Sequence, residues 1–211
     1  MTQEQTQREA IVAIVQELYQ ARLITSTGGN VSVRLEPPEE GYVITPSRMH
    51  KGGLRPEDLV RLDPEGRPLE THRPPSVETP MHVAIYRAFP EVGAVVHTHA
   101  PLATALGIVG GRIPPITVDA VPFLDMRIVP YGLPGDPDLI ARVVDALQYS
   151  PAVILQNHGL VTVGANLRQA ANRALALEET LHILLVCRLL GGELTTLSPE
   201  MVEKVRALGY V

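Results

Sequence analysis

The sequence predicts a mixed, largely antiparallel β-sheet covered by helices, and three observations carry that expectation. Short apolar runs with the two-residue period of strands are joined mostly by turns. Helical patterns stand at both ends of the chain. No repeat, low-complexity tract or linker interrupts the 211 residues, so one domain spanning 1–211 is expected.

Within residues 4–23, Ile11, Ile14, Val15, Leu18 and Tyr19 recur at the spacing of an amphipathic helix. A polar, glycine-containing stretch from Thr25 to Asn30 follows. Val31-Ser-Val33-Arg-Leu35 then alternates as a strand does. The turn Pro37-Pro-Glu-Glu-Gly41 leads to a second strand, Tyr42 to Thr45, which makes the pair a hairpin. Leu59 to Leu62 is a third strand, closed by Asp63-Pro-Glu-Gly66. Ser76 to Phe89 reads as a helix, with Ser76 and Thr79 as capping candidates and Pro80 in a permitted early position. Val92 to His99 is a valine-rich strand. Residues 101–107 form a short helix, and a Gly-Gly turn precedes strands near 114–118 and 127–129. Asp136 to Leu147 is helical. Strands Ala152 to Leu155 and Leu160 to Val163 flank Gln156-Asn-His-Gly159. Leu167 to Leu190 is a long helix stopped by Gly191-Gly192, and a last helix occupies about 199–208.

Composition excludes several classes of function. Hydrophobic residues make up 45% and charged residues 19%, a globular balance rather than that of a disordered chain. A net charge of -5 with no basic run argues against a nucleic-acid binder. No stretch reaches the ~18 apolar residues of a membrane helix. The polar start MTQEQTQREA lacks the pattern of a signal peptide, and the lone Cys187 suits a reducing compartment, so a cytoplasmic protein is expected.

The strongest chemical signal is Val95-Val-His97-Thr-His99. Residues i and i+2 of a strand share a face, so both imidazoles can converge on one ion; the bland alternative is two polar groups meeting water. His158, in Gln156-Asn-His-Gly159, supplies a third imidazole, with a following glycine that permits a sharp turn. Three imidazoles with an open position are the pattern of a catalytic zinc site.

Glu78 fits either a helix-dipole partner or a base or fourth ligand beside the metal. Thr27-Gly-Gly-Asn30 fits either an anion cradle or an ordinary turn, and it lacks P-loop spacing. Ser47, Arg48 and Ser76 are equally turn and cap residues. His50, His72, His82 and His182 read as surface or helix residues, Cys187 as core, and Arg22 and Arg34 as a solvated face. Lysine occurs only at Lys51 and Lys204, neither in an evident apolar pocket, which disfavours imine chemistry. Asp119 and Asp125 fall in an apolar, proline-bearing loop without an assigned role.

Five stretches resemble the class II aldolase/adducin family, in that family's order. They are Ser26-Thr-Gly-Gly-Asn-Val-Ser-Val-Arg34, Ile44-Thr-Pro-Ser47, Pro75-Ser-Val-Glu78, Ala94-Val-Val-His-Thr-His99 and Gln156-Asn-His-Gly-Leu160. The L-fuculose-1-phosphate aldolase branch is the most similar. The resemblance implies an α/β fold, a three-layer α/β/α sandwich around a mixed, mainly antiparallel sheet. It also implies a homotetramer with interfacial active sites. It implies Zn2+, or another divalent metal, on His97, His99, His158 and Glu78. Glu78 would be the catalytic carboxylate, and Gly29, Asn30, Ser47 and Ser76 would hold the phosphate of a sugar phosphate. The implied reaction is retro-aldol cleavage of a ketose 1-phosphate to dihydroxyacetone phosphate and an aldehyde, through an enediolate.

Some positions depart from the branch pattern. Val77 stands where a second serine is usual, and Ser47-Arg48 replaces Thr-Gly. Thr117-Val118-Asp119 lacks an expected tyrosine, and Tyr210 is about two positions out of register. Sister branches define the alternatives. These are methylthioribulose-1-phosphate dehydratase, which Ser76-Val-Glu-Thr also resembles, and pentulose-phosphate 4-epimerase, which commonly has Asp at Glu78. Adducin heads, non-catalytic scaffolds of the same fold, are expected to lack the full imidazole triad.

Overall fold

The computed structural model describes residues 2–69 and 72–209. Seven strands form one sheet: β1 (Asn30–Leu35), β2 (Gly41–Ile44), β3 (Val60–Leu62), β4 (Ala94–Thr98), β5 (Arg127–Val129), β6 (Ala152–Leu155) and β7 (Gly159–Gly164). Their spatial order is β3-β2-β1-β4-β7-β6-β5. Every pairing is antiparallel except β5 with β6. β1 and β2 are the expected hairpin, and β4 lies centrally between β1 and β7.

The helices are α1 (Gln3–Gln20), α2 (Thr79–Ala88), α3 (Pro101–Val109), α4 (Pro137–Ala146), α5 (Leu167–Leu190) and α6 (Pro199–Ala207). The alternation of strand side chains decides the layering. On β4, Ala94 and Val96 join the core beneath α1, α3 and α5, whereas Val95 joins a second core beneath α2 and α4. Both faces of the sheet are thus covered, which yields a three-layer α/β/α sandwich. α1 opens on Thr2, whose hydroxyl accepts from Gln5 N–H at 3.2 Å, and it buries Ile11, Ile14, Val15 and Leu18. α5 opens on Asn166 and ends at Gly191 with φ of 70°, a conformation glycine adopts without strain. α6 packs Val202 and Val205 against Val121.

Several expectations need correction. Residues 114–118 form no strand. α2 begins at Thr79, with Glu78 at the N-cap, and neither Ser76 nor Thr79 caps it. Ser76 instead accepts the Glu78 N–H at 3.3 Å through its hydroxyl. Cys187 is half-buried rather than core, because its stretch of α5 leaves Leu185 and Val186 exposed. Arg34 does not face solvent: its guanidinium donates to the carbonyls of Val92 and Phe89 at 3.0 and 3.1 Å and ties β1 to the end of α2. Among the described residues, no helix is long and apolar enough to cross a membrane. Tyr210 lies outside the described residues.

Candidate metal centre

β4 delivers His97 to the face beneath α2, the same face as Val95. His97 is fully buried, and its Nδ1 lies 3.0 Å from the Leu160 carbonyl of β7. A carbonyl only accepts, so Nδ1 carries the proton and Nε2 presents its lone pair. That Nε2 has no hydrogen-bond partner, an unusual state for a buried ring nitrogen and one that a metal ion would relieve. His99 follows the end of β4 and is anchored by its N–H to the Leu23 carbonyl at 2.8 Å. His158 comes from the β6–β7 turn, where its N–H meets the Leu155 carbonyl at 3.0 Å.

The turn works differently from the sequence expectation. Asn157 takes the left-handed conformation, with φ of 58°. Gly159 serves close approach instead: a Cβ there would sit 2.2 Å from the Thr98 carbonyl and push β7 off β4. The three imidazoles meet edge to face with centroids 4.8–5.1 Å apart, and one nitrogen from each lies within 4.8 Å of the others. Gly28 backs the cluster, since a Cβ on it would fall 2.6 Å from the His99 ring.

Glu78 reaches in from the N-terminus of α2. Its Oε2 lies 3.3 Å from His97 Nε2, and its Oε1 lies 3.7 Å from His158 Nε2. Asn30, next to His97 in the β1–β4 register, donates from Nδ2 to Glu78 Oε2 at 2.6 Å. Burial opposes ionisation of Glu78, but attraction to His97 in its protonated form, the Asn30 bond and attraction to protonated His158 outweigh it and hold the carboxyl below its usual range. Burial and the neighbouring imidazoles lower His99 to about 4 and push His158 down as well, so both rings are neutral and able to act as ligands at neutral pH. Three nitrogens and a carboxylate converging at this separation fit a tetrahedral divalent cation.

The residues expected to hold phosphate are brought together. Gly29, Asn30, Ser47 and Ser76 line one cavity of about 280 Å3 together with Glu78, His99 and His158. Two backbone links close the loops around it, Ser47 N–H to the Pro74 carbonyl at 3.0 Å and Ser76 N–H to the Thr45 carbonyl at 3.3 Å. A larger groove of about 910 Å3 runs between α2 and α4, but it is mainly apolar and contains no histidine. The chemistry therefore points to the smaller cavity. Asp119 is exposed and outside it, and Asp125 pairs with Arg206 of α6 at 2.7 Å.

Two features escaped the sequence reading. His82 is buried, not a surface residue, and forms a chain on α2 one turn beyond Glu78. Ser32 Oγ lies 2.6 Å from its Nδ1 and 2.8 Å from Tyr86 Oη. Burial drives His82 down to about 3, so this imidazole is neutral. The chain pins the first two turns of α2 to β1 and so fixes where Glu78 stands. The available signal was the i, i+4, i+8 spacing of Glu78, His82 and Tyr86 on one helix face.

The second is Lys51, which is only 1% exposed and lines the same cavity. The 3-10 turn Lys51–Gly53 tucks under α1, where a Cβ on Gly52 would meet the Tyr19 ring at 2.8 Å. Burial lowers Lys51 to about 8.

A three-layer sandwich with imidazoles gathered at the edge of its central strand defines the structural class. Residues 9–185 match the Class II Aldolase and Adducin N-terminal domain, and the chain belongs to this family. It is 34% identical to a 5-deoxy-D-ribulose 1-phosphate aldolase of Bacillus thuringiensis serovar kurstaki, over 79% of this chain and 78% of that protein. It is 33% identical to a 3-oxo-tetronate 4-phosphate decarboxylase of Escherichia coli strain K12, covering 87% and 88%. A solved L-fuculose 1-phosphate aldolase superposes with a TM-score of 0.87 at 26% identity, covering 96% of each chain.

Proposed function

We propose that this chain is a zinc-dependent lyase that cleaves a ketose 1-phosphate to dihydroxyacetone phosphate and an aldehyde. The carrying observation is the Glu78 carboxylate, set 3.3 Å from His97 and 3.7 Å from His158 in a cavity that Asn30, Ser47 and Ser76 also line. His97, His99 and His158 would hold the cation, with Glu78 against it when substrate is absent. A divalent cation there would supply Lewis acidity for the negative charge left when the carbon–carbon bond breaks.

The chain's own residues do the rest. Gly29, Asn30, Ser47 and Ser76 bind the phosphate and so fix the ketose along the cavity. In the cleavage direction the C4 hydroxyl passes its proton to the Glu78 carboxylate, the C3–C4 bond breaks, and the electron pair remains on the three-carbon fragment. Glu78 then delivers a proton to C3, completing dihydroxyacetone phosphate; in synthesis it removes that proton. Asn30 holds the carboxylate in line through its 2.6 Å bond.

The reading extends to one catalytic domain over 1–211, a cytoplasmic location and a homotetramer. Loss of carbon dioxide from a 3-oxo acid leaves the same kind of electron pair beside a carbonyl. The likeness to the decarboxylase makes that reaction the second reading. The test is a panel of L-fuculose 1-phosphate, 5-deoxyribulose 1-phosphate and 3-oxo-tetronate 4-phosphate with zinc-loaded protein and a chelated control. Chelator-sensitive release of dihydroxyacetone phosphate together with an aldehyde from a ketose 1-phosphate is the expected result. Release of dihydroxyacetone phosphate with carbon dioxide, from the 3-oxo acid alone, would move the assignment to the decarboxylase. No turnover at full metal occupancy would overturn both readings and bring the dehydratase and epimerase substrates forward.

A further inference from the structure

Lys51 is a buried cation without a counter-ion. Its Nζ makes one hydrogen bond, to the Pro46 carbonyl at 2.8 Å, and uses one of three available protons. Among the described residues no carboxylate stands within ion-pair distance of it. Glu78 is the carboxylate that lines the cavity, and it is engaged by Asn30 and His97 instead. A charge withdrawn from water and left unpaired is costly, and it is stable only if it sheds its proton or acquires an anion. The remainder of the wall is set out for the second outcome. Ser47 and Ser76 offer hydroxyls, Asn30 an amide, and Gly29 its backbone N–H, all donors suited to phosphate oxygens.

We propose that Lys51 is the counter-charge for the substrate's phosphate, a binding residue concealed beneath the turn that carries Ser47. The proposal rests on reading the cavity as a phosphate site, and it supplies a buried positive charge that the four neutral ligands lack. Pro46 places it: the same short turn gives its carbonyl to the ammonium and its next residue, Ser47, to the cavity wall. The lowered proton affinity of Lys51 agrees, since burial is its only cause and no neighbouring anion offsets it. Arg48 also lines the cavity, but it is exposed rather than buried.

A structural staple is the rival account, in which Lys51 serves only as a donor to Pro46. Lys51→Gln separates the two, because glutamine keeps a donor and removes the charge, and Lys51→Met removes both. Metal-loaded wild type and both variants would be titrated calorimetrically with inorganic phosphate, alongside metal content and circular dichroism. Both variants are expected to lose phosphate affinity by about ten- to hundredfold. KM for the phosphorylated substrate should rise by a similar factor, with a much smaller change in kcat. Wild-type phosphate affinity in folded, metal-loaded Lys51→Gln would overturn the inference and leave the phosphate cavity standing. Failure of phosphate to bind even the wild type would overturn the cavity reading and this inference together.

Discussion

Replacing Lys51 with methionine should make the phosphate-free protein more stable at neutral pH. Burial carries this lysine from 10.5 to about 8. At about 1.4 kcal/mol per pH unit, keeping it charged in the fold at pH 7 costs about 3 kcal/mol. Against this stands the hydrogen bond to Pro46 at 2.8 Å, whose loss costs about 1 kcal/mol. The net expectation is a gain of about 2 kcal/mol for Lys51→Met. The sign with pH follows from linkage. Between about 8 and 10.5 the unfolded lysine holds a proton that the folded one has released, so wild-type stability rises through that window. The advantage of the variant should therefore fade as the pH climbs toward 10. Urea midpoints at pH 7 and pH 10, for metal-loaded proteins at equal concentration in phosphate-free buffer, measure the effect. A variant less stable than wild type at pH 7, or a difference that ignores pH, would refute the reasoning. Adding inorganic phosphate should raise the wild-type midpoint and leave Lys51→Met almost unmoved.

Three further outcomes are expected. Gly28→Ala places a methyl 2.6 Å from the His99 ring and should displace it. Metal content after dialysis should fall about tenfold or more while circular dichroism stays native; full metal retention would contradict the geometry. Glu78→Gln should keep its metal but lose about 10²–10⁴ in kcat and in solvent deuterium exchange at C3 of dihydroxyacetone phosphate, whereas His99→Ala should lose metal and activity together. Exchange at the wild-type rate would remove Glu78 from the proton path. The metal-free protein should lose stability as pH falls below 6.5. His82 at about 3 and His99 at about 4 bind protons more readily unfolded than folded, and Glu78, held low, acts in the same direction further down. The slope is about 1.4 kcal/mol per pH unit for each such histidine; a melting temperature constant from pH 7 to pH 5 would contradict it.

Local periodicity carried most of what the sequence could show. His97 and His99 were readable as a pair because strand alternation is a property of adjacent residues. The β1–β2 hairpin and the span of α5 were legible for the same reason, each being written in turn residues and apolar spacing. Lys51 was not legible, because its burial depends on a turn folding beneath α1, and nothing in Met49-His-Lys51-Gly announces that contact. His82 was passed over because its partner, Ser32, lies 50 positions away on another element. The start of α2 slipped from Ser76 to Thr79 because Ser76 turns its hydroxyl to Glu78 within the loop and not to the helix interior. Residues 114–118 had strand composition but found no strand to pair with.

The centre is stitched from parts that are remote along the chain. His97 leans on Leu160, 63 positions on, and Glu78 is held by Asn30, 48 positions back. Closing loops of that length is slow and precedes any reward from the contacts they bring. The full set of nitrogens therefore comes together only once β1, β4 and β7 have zipped side by side. A metal ion arriving early finds at best the His97–His99 pair. The cation should accordingly leave the refolding rate nearly unchanged and act instead as a latch, slowing the escape of a sheet that has already assembled.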